Sequence, residues 1–521
     1  MPTTLGFKDI IDLPQWRPES PCLAVSGAGM SLVGDERNNS TRHPLMYFLR
    51  SATALDVYDP ISGEWQPLAS PALTGTFGNG AAAVFNPSAG PRGTLAAGAT
   101  TTSVILSTAL PAAVGNNQLA NRGDSIGFRI RIIGNAAGSS GKIEERTIIA
   151  NTAGTTPTIT LDSALSFTPA TGDAYEIIGG RVFMLGAGTT TAGIWKHYDI
   201  TTNSFSGNLA TTNLPATIGT ESFLVSLSEL HVSNDRSPGE GLVSGGATYN
   251  TSFDCIQATA ASGTTITGSG MPSTLFANEY RNFQVRIVED TVTPTSVGQR
   301  RRISTHTSGA TGIFTVAAFA VTPSSSAKFV VENDDDKILL RSSAVATTFT
   351  YNITANAWDI TTFGASGSAC GAGTCGAQAF GITRDATGNA RHSHIFFLRG
   401  AATSSIDLLD IAGAAAGSWS NAIAYGNSAQ TFTTGTTGQY APATFSGRYI
   451  HLIVNGTQRM IRFDVRNRVM ESGTYLKFLQ GAATSGGKIS LATFVDGATK
   501  LDFIYVVTNS QTFMFSCAIV R

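Results

Sequence analysis

Charge is scarce in this sequence: Asp, Glu, Lys and Arg make up 13% of its 521 residues, against roughly 25% in a typical soluble domain. The two signs nearly cancel, with 34 basic and 35 acidic residues. Without a basic surplus there is little to neutralise a phosphate backbone, so no specific nucleic-acid binding is expected. Long apolar runs are missing too. No stretch approaches 18 uninterrupted apolar residues, whereas a helix crossing a bilayer needs about 20, so no membrane insertion is expected. Five cysteines do not make a disulfide framework in a chain of this length. "CGAGTC" puts Cys370 and Cys375 close enough to close a small loop, but two unpaired thiols flanking a glycine turn is the favoured reading. The opening "MPTTLGFKDIIDLPQW" lacks a basic region followed by an apolar run, so no signal peptide is expected and the chain is taken as made in a cytoplasm.

What fills the sequence instead is glycine (56 residues) with Thr, Ser and Ala. That mixture is rich in turn and strand residues and points to an all-β architecture. A local grammar recurs along it. In "MYFLRSATALDVYDPISGEW" (46–65) an apolar strand and a short turn lead to a strand ending in aromatic–Asp, Tyr58-Asp59, with Trp65 six positions after the Asp. Tyr198-Asp199 leads to Phe205 and Tyr351-Asn352 to Trp358 at the same interval. Leu409-Asp410 leads to Trp419 over a longer turn, and Phe463-Asp464 to Met470. The Asp can accept turn amides, as in Asx-turns, and the large residue can fill the space between neighbouring blades.

Short strand-like runs precede these units, as in "GMSLVGD" (29–35), "AAAVFNP" (81–87), "SFLVSLS" (222–228) and "AQAFGIT" (377–383). A final unit, 488–520, supplies three strands. Four-stranded units repeated every ~45–50 residues are the mark of a kelch-like β-propeller. The count is six blades, the last lacking its outer strand. "DIIDLPQWRP", with Trp16 as the counterpart of Trp65, is expected to supply it and close the ring; proline suits such an edge. Trp16, Trp65, Phe205, Trp358 and Trp419, with Asp59, Asp199, Asp410 and Asp464, are the expected blade-packing residues.

The second and third blades each carry a long insert between their first and second strands. Residues 127–177 resemble 282–332: Phe128 matches Phe283, Arg146 Arg301, Thr160 Thr315, Pro169 Pro323 and Tyr175 Phe329, at a near-constant offset of about 155 residues. Each insert is expected to be a small β-barrel or β-sandwich. The domain plan is therefore a propeller from 1–87, 180–230 and 336–521, with inserted β domains at 88–179 and 231–335. The inserts should project from one face of the ring as two knobs.

The insert pattern runs from an Arg-X-Ile strand through a Thr-rich strand to "FTP" (167–169) or "VTP" (321–323), then "GDAYEI" (172–177). It resembles modules common in tailed-bacteriophage virion proteins. The opening "LPQWRPESPCLAVSGAGMSLVGDERNNSTRHPLMYFL" is similar to propeller-bearing tail proteins of such phages, among them nozzle proteins of short-tailed phages. The resemblance implies a structural virion protein of the neck or tail, present in several copies, and carries no catalytic residue with it.

Candidate chemistry is sparse. "HSH" sets His392 and His394 on one face of a strand, but solvated residues leading into that strand is the favoured reading. "ENDDDK" (332–337) lacks the spacing of a calcium loop and marks a polar junction where the second insert returns to the ring. "NRGDS" (121–125) reads as a glycine turn, and "GQRRRI" (298–303) as a charged face or a contact with an acidic neighbouring subunit. No catalytic residue, cofactor or metal is expected. The leading expectation is a non-enzymatic structural component of a phage virion: a homo-oligomeric nozzle, collar or tail hub whose partners are itself and other neck and tail proteins. The alternative is a host-receptor or carbohydrate-binding tail protein that takes host surface glycans. A propeller glycosidase would need paired carboxylates at catalytic spacing, and the repeated Asp-box is missing.

Overall fold

A computed structural model describes most of residues 45–67, 81–120, 127–227, 255–367, 394–424 and 449–471. It also describes strands at 17–21, 32–34, 377–378, 383–384, 390–391, 437–440, 476–477, 488–496, 499–507 and 513–518. The described chain is all-β, with only short 3-10 turns beside its strands.

Among the described residues, beside the inserts and a two-stranded ribbon of Thr383–Arg384 with Ala390–Arg391, six sheets follow one another along the chain. Sheet 1 orders Leu32–Gly34, Met46–Ser51, Ala54–Asp59 and Glu64–Pro67. Sheet 2 orders Ala82–Asn86, Arg181–Leu185, Trp195–Asp199 and Ser204–Phe205. Sheet 3 orders Phe223–Ser226, Lys337–Arg341, Thr348–Asn352 and Ala357–Asp359. Sheet 4 has three strands, His394–Leu398, Ser405–Asp410 and Ser418–Ala424. Sheet 5 runs from Thr437–Tyr440 through Tyr449–Ile453 and Arg459–Asp464 to Val469–Met470. Sheet 6 orders Lys488–Asp496, Thr499–Val507, Phe513–Ala518 and, outermost, Arg17–Pro21. The buried faces are dense in Val, Ile, Leu, Phe and Tyr, which suit pleated strands covered on both sides.

Two details depart from the sequence expectation. The N-terminal strand is Arg17–Pro21, downstream of "DIIDLPQW"; it pairs antiparallel with the strand at 513–518 (Arg17 opposite Ser516, Pro21 opposite Phe513). Trp16 lies outside the described residues. Ala377–Gln378, expected to begin the fourth unit, pairs in parallel with Thr437–Tyr440 of sheet 5.

Neighbouring sheets touch in chain order. The first strands of sheets 1, 2 and 3 lie side by side, and the first strand of sheet 6 lies beside those of sheets 1 and 5. Asn86 of sheet 2 donates to Ser226 of sheet 3 at 3.0 Å in the buried interior. Sheets 3 and 4 meet through Phe223 and Phe397 (6.4 Å between rings) and through an ion pair, Arg341 to Asp407 at 3.4 Å, in which both side chains are 0% exposed.

Each insert forms its own six-stranded module. The first orders Arg92–Thr94, Ala174–Ile178, Arg129–Ile133, Ile143–Asn151, Thr158–Leu161 and Ser103–Ile105, and the bridge Leu95–Leu106 joins its two edges. The second is a closed barrel of Ile256–Ala261, Lys328–Glu332, Gln284–Glu289, Arg300–His306, Ile313–Val316 and Thr265–Ser269. The strand order is the same in both. Even side-chain detail repeats: Arg146 donates to the carbonyls of Glu145 and Ala164, and Arg301 to those of Arg300 and Ala318. The modules are not separate knobs. The second shares one apolar cluster with sheets 3, 4 and 5, and Asn282 donates to the carbonyls of Ile411 and Ala414 in a sheet 4 turn.

Candidate functional site

The recurring grammar resolves into a cross-strand pair at the outer hairpin of five sheets. Tyr58 stands directly opposite Trp65, Tyr198 opposite Phe205, Tyr351 opposite Trp358, Leu409 opposite Trp419 and Phe463 opposite Met470. Directly opposed residues share a face with Cβ atoms about 5 Å apart. The first three pairs bring their rings to 5.0, 5.2 and 5.1 Å. The member before the Asp or Asn makes a repeated ring contact between sheets. Tyr58 meets Tyr505 of sheet 6, Tyr198 meets Tyr47 of sheet 1, Tyr351 meets Phe183 of sheet 2 and Phe463 meets Phe396 of sheet 4. Among the expected packing residues, Trp358 reaches Trp195 of the neighbouring sheet at 5.1 Å, and Trp419 lies under the Arg341 guanidinium at 5.3 Å. Trp65 packs on Phe48 and Tyr58 of its own sheet, and Phe205 on Tyr198 of its own.

The acidic residues tie the turns. Asp199 accepts the N–H groups of Thr201 and Thr202 and pairs with Arg181 at 2.8 Å. Asp410 accepts the N–H of Ala412, and Asp464 that of Asn467. Asp59 ends its strand with its carbonyl accepting the N–H of Gly63. A further position, absent from the expected set, completes each turn. Two residues before the second pair member the backbone takes positive φ: Gly63 (70°), Asn203 (49°), Asn356 (48°), Gly417 (66°) and Arg468 (55°). Gly and Asn tolerate this left-handed conformation best. Asn203 and Asn356 also accept the hydroxyl of Tyr198 and Tyr351, each at 2.7 Å. The signal was present in the sequence as Gly or Asn two places before the aromatic in four of the five turns.

The chemistry-bearing motifs resolve into structural ties. His394 is buried, with Nε2 3.4 Å from the Asp410 carboxylate, rather than solvated; His392 lies outside the described residues. The arginines of "GQRRRI" are engaged within the molecule instead of forming a free charged face. Arg300 pairs with Glu332, Arg301 caps carbonyls, and Arg302 lies over the Phe363 ring. In "ENDDDK", Asp334 is buried and faces Gln284 and Lys337, and burial pushes its carboxyl up. Burial, with the Arg462 charge, holds His451 down at about 3; burial and Arg181 do the same for His197. Residues 121–125, Cys370 and Cys375 lie outside the described residues. Among the described residues no three His, Cys, Asp or Glu side chains converge as metal ligands.

A cluster of charge lies where the two modules meet. Glu145 pairs with Arg129 (2.8 Å) and Arg131 (2.7 Å), and Arg131 also with Glu176 (2.7 Å). Glu176 faces Arg286 of the second module at 3.6 Å, and Glu332 pairs with Arg286 and Arg300, both at 2.8 Å. Burial pushes the Glu176 carboxyl up, but the charges of Arg286, Arg131, Arg300 and Arg92 override it and hold the group well below the usual carboxylate range. Chemically the cluster is an array of arginines bridged by three glutamates, suited to cohesion.

No family model and no curated protein matches this chain. Solved structures similar to this chain include Sqt1 of Saccharomyces cerevisiae, at 8% identity and a TM-score of 0.29, covering 96% of this chain and 100% of that one. An alpha-L-arabinanase of Penicillium chrysogenum, complexed with arabinobiose, gives 6% identity and a TM-score of 0.26, covering 97% of each chain. The GH74 xyloglucanase of Xanthomonas campestris gives 11% identity and a TM-score of 0.21, covering 97% of this chain and 68% of that one. At such TM-scores these likenesses assign neither fold nor activity.

Proposed function

We propose that this chain is a non-enzymatic structural component of a phage virion, assembled in several copies as a nozzle, collar or tail hub. In this reading its six sheets are the blades of a kelch-like propeller closed by the N-terminal strand, and the modules are its inserted domains. The observation that carries the reading is the outermost place of Arg17–Pro21 on sheet 6, which ties the two distant ends of the chain into one sheet. The side-by-side first strands and the aromatic contacts between successive sheets support the ring. A structural role is supported by where the ionic and polar groups act. Arg341–Asp407 links two sheets, the Arg–Glu cluster links two modules, and Asn282 links a module to a sheet. The low charge and Gly/Thr/Ser-rich composition suit repeated packing between identical subunits.

Negative-stain images of the purified protein, and of virions labelled with an antibody against it, test the proposal. Rings or collars in the first, and label at the neck or tail in the second, are expected. Monomers alone with unlabelled particles would overturn it. A glycan array separates the receptor reading: specific hits would favour the alternative.

A further inference from the structure

The two modules face each other through the same hairpin. Asp290 donates its N–H to the carbonyl of Gly141 at 2.7 Å. Asn135, which matches Asp290 in the internal repeat, donates from Nδ2 to the carbonyl of Val297 at 3.4 Å. Val297 lies one place from the match of Gly141. Gly298 abuts Ile133 so closely that a Cβ there would lie 2.9 Å from Cγ2. The matching residues, Ile143 and Val288, are buried in the same apolar cluster. Lys142 bridges to Glu289 between the two hairpins. Contacts in which one element meets the partner's counterpart, and is met in return, have two-fold character.

The charged face obeys the same relation. Arg131 alternates with Ile130 and Ile132, which fill its own module, so it points outward, yet it is only 4% exposed. Arg286, its match, alternates with Val285 and Ile287 and is 1% exposed. Each therefore lies on the outside of its own module and is buried where the modules join. Arg131 stands opposite Glu176, and Arg286 opposite Val330, so Glu176 and Val330 are counterparts. Glu145 and Arg300 are counterparts of opposite charge.

We infer that the modules form a fused pair with local pseudo-two-fold symmetry, and that Glu176, which ion-pairs with guanidinium groups of both modules, is a specificity-determining residue of their pairing. The partner this face fits is its own sister module within the chain. The second module carries Val330 where the first carries Glu176, so two second modules would meet as arginine against arginine, without that carboxylate. The placement also predicts a transplant: a carboxylate introduced at 330 stands to Arg286 as Glu176 stands to Arg131, and by the two-fold relation approaches Arg131.

Hydrogen exchange across residues 133–143 and 289–298, in the full chain, tests this. Glu176→Gln is expected to lower protection there roughly 10-fold or more, since it removes the carboxylate charge that faces buried guanidinium groups of both modules. Adding Val330→Glu to Glu176→Gln is expected to recover most of that loss. Adding Val330→Gln, of equal bulk but no charge, is not. Unchanged protection in Glu176→Gln overturns the role of Glu176. Equal failure of the two double variants overturns the two-fold relation. A Glu176→Gln chain that does not fold, rescued only by Val330→Glu, supports both.

Discussion

Arg468 holds a backbone conformation that its sister positions give to Gly or Asn, with φ of 55°. A side chain with a Cβ loses about 1 kcal/mol or more there. Arg468→Gly should therefore raise unfolding free energy by about 1 kcal/mol, read from chemical denaturation with an unchanged denaturant slope. His451 supplies a pH dependence. It titrates near 6.5 when exposed and is held at about 3 in the folded chain. The unfolded state thus binds more protons below about pH 6.5, and stability falls as pH drops from there toward 3. At pH 5 the loss from this residue is about 2 kcal/mol, and His451→Leu should remove that share of the slope between pH 7 and 5, leaving the part that His197 contributes. At this scale much was legible. The Asp side chains at 199, 410 and 464 accept turn amides, which is their chemistry in any sequence. The ring contacts of Tyr58, Tyr198 and Tyr351 with neighbouring sheets were not legible, because spacing along a hairpin does not say which residue of the next sheet a pair member meets.

At the scale of elements, the hairpin pair is the repeating unit of cohesion. Tyr351 and Trp358 lie 5.1 Å apart, and both approach Trp195 of the adjacent sheet. Leucine substitutions of the two, singly and together, should reveal a coupling of about 0.5–1.5 kcal/mol in a double-mutant cycle. The paired modules were readable from a repeat held at one offset, since matched strands then take matched places. Their shared ionic cluster was not. Arg131 and Glu176 are 45 positions apart, and Glu176 and Arg286 farther still, so only the folded register brings them together. For the same reason "GQRRRI" reads from sequence as a charged face or a contact with an acidic neighbouring subunit: its carboxylate, Glu332, comes from a strand that follows later in the chain.

For the molecule as a whole, the N-terminal strand is the largest lever. It contributes three matched positions along Phe513–Ala518, and two of its residues, Pro18 and Pro21, have no amide to offer, as suits an outermost strand. A chain lacking residues 1–21 should lose about 2–4 kcal/mol, from unmade strand hydrogen bonds and a bare edge. A fall in melting temperature no larger than that for removing an unpaired terminus would refute the tie. The pairing also sets an order in time. About 500 residues separate Arg17 from Ser516, and at 5–20 residues per second a ribosome takes roughly 25–100 s to cover that distance. Through that interval the early segment waits without its partner, and sheet 6 is finished only once nearly all the rest of the chain has emerged. A polypeptide released before residues 513–518 are made has no place for that strand, so its residues 17–21 are left without the edge they pair with in the whole chain.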